Sequence, residues 1–146
     1  MNNSSICVDA SLVIRLVADP RDQAVVRLWE QWDAEGKQLT APTLLYYEVT
    51  NALYRYQKQR LMSESAVRLA LQAALALNLQ LHSDASLHQR ALELAERLSL
   101  LATYDAHYLA LAERLGAELW TADRRLAQAV QAALPWVHLA ESSERA

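Results

Sequence analysis

The chain has 146 residues, 53% hydrophobic and 21% charged, which is typical of one globular domain with a full core and excludes a disordered protein. Its net charge of −3 excludes a protein that coats nucleic acid with a basic surface. The single cysteine, Cys7, excludes an internal disulfide and indicates a reducing compartment, so we expect a cytoplasmic protein. The N-terminal segment has neither a basic region nor a long apolar one, and no apolar run is long enough for a membrane span, so we expect neither a secretory signal nor membrane insertion.

Short apolar runs alternate with longer stretches of helical periodicity. In chain order the pattern predicts a strand over 5–9, a short helix to Val17, a helix over 21–34, a strand over 38–41, a long helix from Pro42 to Gln59, a helix over 63–77 and a strand over 79–82. A helix around 87–98, a helix over 103–115, a strand over 117–121, a helix over 124–134 and a short strand over 136–139 follow. Strands that alternate with helices predict one α/β domain, covering 1–146, with a parallel sheet covered on both faces.

Four carboxylates occupy positions where a fold usually avoids a charge or directs one to a site. Asp9 ends an apolar run, and Asp123 follows another, so both are expected at the carboxyl ends of strands, where ligands bind in such sheets. Glu48 lies within the apolar stripe of the long helix, and Asp105 opens a later helix on its buried face.

Each carboxylate also has a purely structural interpretation. Asp9 and Asp123 are suitable helix N-caps, Asp105 is suited to the positive end of a helix dipole, and Glu48 has Arg55 within reach on its own helix. If they converge, however, two charges ~4 Å apart repel by about 4 kcal/mol at an effective dielectric of ~20, so the group must take up protons or bind a cation. Mg²⁺ prefers oxygen ligands of this kind and Mn²⁺ commonly replaces it, which indicates phosphodiester hydrolysis by a metal-activated water.

Four segments then carry a resemblance to a known family. They are Ile6-Cys7-Val8-Asp9-Ala10-Ser11, Tyr47-Glu48-Val49-Thr50-Asn51-Ala52-Leu53, Thr103-Tyr104-Asp105-Ala106-His107-Tyr108-Leu109-Ala110-Leu111-Ala112 and Trp120-Thr121-Ala122-Asp123-Arg124-Arg125-Leu126. In this order and at these intervals they resemble the PIN domain, and in particular the VapC-type toxins of bacterial toxin–antitoxin pairs.

The resemblance implies a three-layer α/β/α sandwich on a short parallel sheet and a Mg²⁺- or Mn²⁺-dependent endoribonuclease. By residue match, the catalytic and metal-binding carboxylates would be Asp9, Glu48, Asp105 and Asp123, with Asp123 nearest a second metal position or the water. Thr121 would support Asp123. Ser11 and Asn51 are candidates for a supporting role only, since both can equally make local backbone hydrogen bonds. Arg124 and Arg125 are weak candidates for contact with substrate phosphates, as are the cations near the end of the long helix.

The resemblance also implies an RNA substrate, a homodimer and a small antitoxin protein as partners. The helix over 63–77 is apolar on two sides, and Trp29 and Trp32 lie on an earlier helix, so we expect these helices to form the dimer contact or the antitoxin groove. The alternative is that both stripes belong to the core of the monomer.

Other functions remain open from the sequence. Within the family they are a non-toxin PIN nuclease in RNA processing and a catalytically silent PIN-fold binding module. Outside it, a haloacid-dehalogenase-like phosphatase needs a second Asp at the position of Ser11, and a receiver domain needs an acidic pair at the first strand end and a late Lys; the chain has none of these. The four histidines lack metal-ligand spacing and are expected on the surface or on helix flanks, while Cys7 is expected to be a buried strand residue.

Overall fold

A computed structural model describes residues 4–141. Residues 1–3 and 142–146, the two ends of the predicted 1–146 domain, therefore lie outside the described residues. The strands are β1 (Ser5–Val8), β2 (Gln38–Pro42), β3 (Leu79–His82), β4 (Glu118–Thr121) and β5 (Val137–Leu139). The helices are α1 (Ala10–Ala18), α2 (Gln23–Ala34), α3 (Leu44–Lys58), α4 (Glu64–Leu75), α5 (Ala85–Leu98), α6 (Tyr104–Leu115) and α7 (Arg124–Val130).

The five strands form one parallel sheet in the order β3-β2-β1-β4-β5. The chain moves from β1 to β2 to β3 in one direction and from β4 to β5 in the other. Because parallel crossovers are right-handed, α1–α4 cover one face of the sheet and α5–α7 cover the other. The packing agrees, since α1 contacts α3 and α4 on one side and α5 contacts α6 on the other. The predicted three-layer α/β/α sandwich is confirmed.

The direction of winding reverses between β1 and β4, which are neighbours at the centre of the sheet. Val8 pairs with Trp120, and the Asp9 amide donates to the Trp120 carbonyl at 3.3 Å, so both strands end at the same edge. Such a reversal leaves a crevice at the carboxyl ends of the strands, because the flanking helices diverge onto opposite faces. The loops after β1 and β4 carry Asp9 and Asp123 into this crevice.

The central strands of the sheet are buried between the helix layers, and Cys7 on β1 is fully buried, as the sequence predicts. Trp32 is also buried and packs against Trp29 and Trp120 with ring centroids 5.3 and 5.8 Å apart. The expectation that Trp32 anchors a partner is therefore wrong, because its ring is used within the monomer. Among the described residues, no helix is both long enough and apolar enough to cross a membrane.

Most predicted boundaries are close to the observed ones, and the main difference lies in α7. The predicted helix over 124–134 ends at Val130, followed by a tight turn in which the Leu134 amide donates to the Val130 carbonyl at 2.8 Å. Pro135 follows, and a residue before proline is disfavoured in the helical region. Gly116 ends α6 with φ +61° as predicted, whereas the Thr103 side chain makes no capping hydrogen bond.

Candidate functional site

The four carboxylates selected from the sequence line one cavity of about 280 Å³ at the reversal between β1 and β4. Asp9 is the N-cap of α1 and directly follows β1, and Asp123 is the N-cap of α7 and lies two residues after β4. Glu48 comes from α3 on one face of the sheet and Asp105 from the first turn of α6 on the other. The remaining lining residues are Ala10, Ser11, Ile14, Asn51, Ala52, Arg55 and Tyr108.

Asp9 lies at the buried end of this cavity, with 3% of its surface exposed. Its Oδ1 accepts hydrogen bonds from the Leu12 amide at 3.1 Å and from the Ser11 hydroxyl at 2.7 Å. Its Oδ2 accepts from the Thr121 hydroxyl at 2.5 Å. The bond from the Leu12 amide makes Asp9 the N-cap of α1, so the structural interpretation of Asp9 as a helix cap is correct. The two hydroxyl bonds go beyond a cap, because they fix the orientation of the carboxylate in the cavity.

Ser11 and Thr121 join the start of α1 to the end of β4. Their hydroxyl oxygens are 3.2 Å apart; the Ser11 oxygen accepts from the Ala122 amide at 3.0 Å, and the Thr121 oxygen accepts from the Asp123 amide at 2.9 Å. The Thr121 hydroxyl therefore accepts a hydrogen bond from the Asp123 backbone amide and donates one to the Asp9 carboxylate. The Asp123 carboxylate in turn caps α7 by accepting from the amides of residues 125 and 126.

Glu48 is half-buried and is held by a tyrosine rather than by an arginine. The Tyr108 hydroxyl donates to Glu48 Oε1 at 2.5 Å. Arg55 lines the same cavity, but within residues 4–141 it forms no ion pair with Glu48, so the sequence-based alternative of a compensating Arg55 does not hold. The sequence assigns Tyr108 no role beyond its place in the third matched segment. The available signal was its position three residues after Asp105, which puts both side chains on one face of α6.

Burial and mutual repulsion raise the pKa values of two of these acids. Burial raises the pKa of Asp9 from its ordinary value of 3.8 to about 6, against the lowering effect of the hydrogen bonds from Thr121, Ser11 and Leu12. Burial raises the pKa of Asp105 above its ordinary value, and the charges of Asp123 and Glu48 raise it further. Burial and the neighbouring Glu48 likewise raise the pKa of Tyr108, so its hydroxyl remains a donor.

Burial is the main cause of both carboxylate shifts, and repulsion among the carboxylates adds to it. Within residues 4–141 no three His, Cys, Asp or Glu side chains converge tightly enough to form a metal cluster by themselves. The four carboxylates instead surround a cavity, and their oxygens are hard ligands. That set fits a hydrated Mg²⁺ or Mn²⁺, which takes one or two direct carboxylates and keeps several waters.

The other predicted residues are distributed around this cavity. Asn51 lies at its rim on α3 and is solvent-exposed. Arg125 lines an adjoining cavity of about 320 Å³ that shares Asp105 and Asp123 with the first. Arg124 is half-buried and contributes to the lining of neither cavity.

All four histidines lie within the described residues and none lines the acidic cavity. His88 and His107 contact each other across α5 and α6 with ring nitrogens 2.8 Å apart. His138 pairs with Glu118 at 3.0 Å. No histidine is therefore available to act on a molecule bound at the carboxylates without a change in the fold.

Comparison with known proteins agrees with this architecture. A sequence model of the PIN domain matches residues 6–131. Ribonuclease VapC3 of Pyrobaculum aerophilum is 32% identical over 126 residues, which are 84% of this chain and 92% of that protein. A crystal structure of a protein from Pyrobaculum aerophilum gives a TM-score of 0.66 at 27% identity and covers 88% of this chain and 81% of that one. The structure of a toxin–antitoxin complex from Klebsiella pneumoniae gives a TM-score of 0.65 at 20% identity, covering 94% of this chain and 98% of that chain, which is a likeness of fold.

The α/β/α sandwich with an acidic crevice at the reversal of its sheet thus defines the class, and the chain belongs to the PIN-domain family. Within that family its relatives are ribonucleases of the VapC type.

Proposed function

We propose that this protein is a Mg²⁺- or Mn²⁺-dependent endoribonuclease and the toxin of a toxin–antitoxin pair. The observation that carries the proposal is one cavity lined by all four carboxylates, with Arg55 as its single cationic lining residue within residues 4–141 and with the pKa values of Asp9 and Asp105 raised by burial. The similarity to ribonucleases of the VapC type supports RNA as the substrate. Action on cellular RNA would place the protein in the cytoplasm.

Asp9, Glu48, Asp105 and Asp123 are the residues that would hold the cation. When bound, the cation supplies charge neutralisation at the scissile phosphate and lowers the pKa of a water molecule. The protein's own contribution is orientation. The hydroxyls of Ser11 and Thr121 fix both oxygens of Asp9, and Tyr108 fixes one oxygen of Glu48.

The reaction expected of this site is in-line attack of water on phosphorus. The bond to the 3′ oxygen breaks, so the products carry a 5′-phosphate and a 3′-hydroxyl. A carboxylate of the cavity orients the water or accepts its proton. Arg125, beside the adjoining cavity, is placed to contact a neighbouring phosphate of the substrate strand.

The partners we assign are a second copy of the chain and a small antitoxin. On α4, Val67, Ala70 and Ala74 pack into the monomer core, whereas Leu69 on the same helix is 67% exposed. Leu61 and Leu75 are exposed leucines at the two ends of α4. An aliphatic surface of this kind is suited to contact with another protein. The fold likeness to a chain from a toxin–antitoxin complex supports the assignment.

The test is cleavage of a panel of structured RNAs, tRNAs included, with Mg²⁺, with Mn²⁺ and with chelator. Asp9→Asn should abolish metal-dependent cleavage, whereas Asp33→Asn, which makes the same charge change at an exposed position of α2, should cleave like the wild type. Equal cleavage by the wild type and Asp9→Asn would show a contaminating nuclease or a different site. No cleavage by the wild type would favour a PIN-fold module that only binds. Growth arrest on expression, relieved by a co-expressed antitoxin, would separate a toxin from an RNA-processing nuclease.

A further inference from the structure

A row of aromatic side chains lies on the exposed side of α3, next to the acidic cavity. Tyr47 is 74% exposed and Tyr54 is 54% exposed. Both line a shallow cavity of about 480 Å³, whose complete lining we call the tyrosine face: Tyr46, Tyr47, Thr50, Asn51 and Tyr54. Asn51 lines the acidic cavity as well, so the two cavities are neighbours on α3.

Helix geometry determines how the tyrosine face runs. Tyr47 and Tyr54 are seven residues apart, so they lie on the same side of α3 with a separation of about 10.5 Å along its axis. Thr50 and Asn51 lie between them on that side. Glu48, Asn51 and Arg55 line the acidic cavity from α3, so the face borders the cavity over this part of the helix.

The chemistry of the face is aromatic with cations nearby. The Tyr46 hydroxyl donates to the Ala74 carbonyl at 2.7 Å, which fixes its ring against α4. The Lys58 ammonium lies 5.7 Å from the centre of the Tyr54 ring, and Arg55 lines the acidic cavity. In a protein of net charge −3, these cations place positive charge beside flat, exposed rings at the edge of the carboxylate site.

Resting on the nuclease function proposed above, we propose that the tyrosine face binds unpaired nucleobases of the RNA next to the phosphate that enters the acidic cavity. Exposed aromatic rings stack on bases of any sequence, and nearby cations contact the phosphates between them. Bases held in a duplex cannot stack in this way, so the face selects single-stranded or loop segments.

The composition of the surface favours RNA over protein at this position. Three of the exposed leucines, Leu61, Leu69 and Leu75, lie in and around α4 and are suited to protein contact. The tyrosine face on α3 presents rings and hydroxyls instead, and it shares a lining residue with the carboxylate cavity. The alternative is that a second copy of the chain binds to this face, and the experiment below distinguishes that dimer contact from RNA binding.

The experiment measures RNA binding without cleavage. The full chain carrying Asp9→Asn is titrated in Mg²⁺ against a fluorescently labelled single-stranded RNA and against a hairpin of the same composition, with anisotropy as the readout. Tyr47→Leu and Tyr54→Leu keep an apolar side chain but remove the flat ring, and each should weaken single-strand binding by about 5- to 100-fold. Tyr47→Phe keeps the ring and should bind like the parent. Leu92→Ala, at a 55% exposed position of α5, is the matched control and should also bind like the parent.

Single-strand binding that is unchanged in both leucine variants would overturn the proposal, as would a parent that does not bind single-stranded RNA or that prefers the hairpin. If light scattering also shows a dimer that the leucine variants convert to a monomer, the face is a contact between copies. If the wild type cleaves RNA and both leucine variants cleave it equally well, the nuclease proposal stands and the tyrosine-face proposal fails. If RNA binding depends on the tyrosines but the wild type does not cleave RNA, the tyrosine face binds RNA and the nuclease proposal fails.

Discussion

Replacement of Asp9 by asparagine should stabilise the metal-free protein at neutral pH. Burial raises the pKa of Asp9 from 3.8 to about 6, so the folded protein holds the Asp9 proton more tightly than the unfolded chain. The stability from this group is fully present below about pH 4 and is lost as the pH rises through 6. The loss is about 3 kcal/mol, since one pKa unit corresponds to about 1.4 kcal/mol.

The asparagine side chain introduced by Asp9→Asn would carry no charge, but it would present an amide donor where the carboxylate accepts from Thr121 or Ser11. One lost hydrogen bond offsets the gain by about 1–2 kcal/mol. We therefore expect a net gain of about 1–2 kcal/mol at about pH 8, and no gain at about pH 4, where Asp9 in the wild type is already protonated.

The assay for this prediction is urea unfolding in chelator, followed by tryptophan fluorescence at the two pH values. Asp33→Asn on α2 makes the same charge change at an exposed position and should alter stability by no more than about 0.5 kcal/mol. An Asp9→Asn protein that is less stable than the wild type at about pH 8 would refute the reasoning, because burial of the charge would then not dominate. An equal gain at both pH values would also refute it, since the effect must follow the protonation of Asp9.

Three further predictions concern the site and its partners. Tyr108→Phe removes the donor to Glu48 and should lower kcat for RNA by about 10-fold with little change in KM, measured in steady-state cleavage; an unchanged kcat would show that Glu48 needs no support. Leu69→Asp should convert a dimer to a monomer in light scattering, whereas Leu92→Asp should not; a strictly monomeric wild type would contradict the dimer. Mn²⁺ should raise Tm more at about pH 8 than at about pH 5, because protons compete for Asp9; an equal rise would exclude Asp9 as a ligand.

The fold was accessible from the sequence because its local signals agree with one another. Apolar runs such as 5–8 and 118–121 are short and lie between helical stretches, so alternation alone predicts a parallel sheet. Local rules also predict the ends of α6 and α1, through Gly116 and the cap at Asp9. They fail at the end of α7, which stops at Val130 rather than at residue 134, and at Trp32, whose ring packs against Trp29 and Trp120 from two different elements.

The candidate site was accessible only in part. The four carboxylates stand out because each interrupts an apolar pattern or follows a strand. The pairing of Glu48 with Tyr108 was not accessible, since it joins residues on opposite faces of the sheet. The contact between the Ser11 and Thr121 hydroxyls was not accessible either, because the two residues are 110 positions apart in the chain. The tyrosine face was missed because the periodicity of α3 marks its buried stripe, whereas its exposed side carries the rings.

The central claim is that the acidic cavity holds a divalent cation through the four carboxylates. The direct measurement is Mn²⁺ binding followed by electron paramagnetic resonance, in which the signal of free Mn²⁺ falls as the ion binds. The wild type and Asp33→Asn should bind Mn²⁺ alike, while Asp9→Asn and Asp105→Asn should each lose about 10-fold or more in affinity. Mn²⁺ binding of equal strength in all four proteins would place the cation elsewhere and contradict the claim.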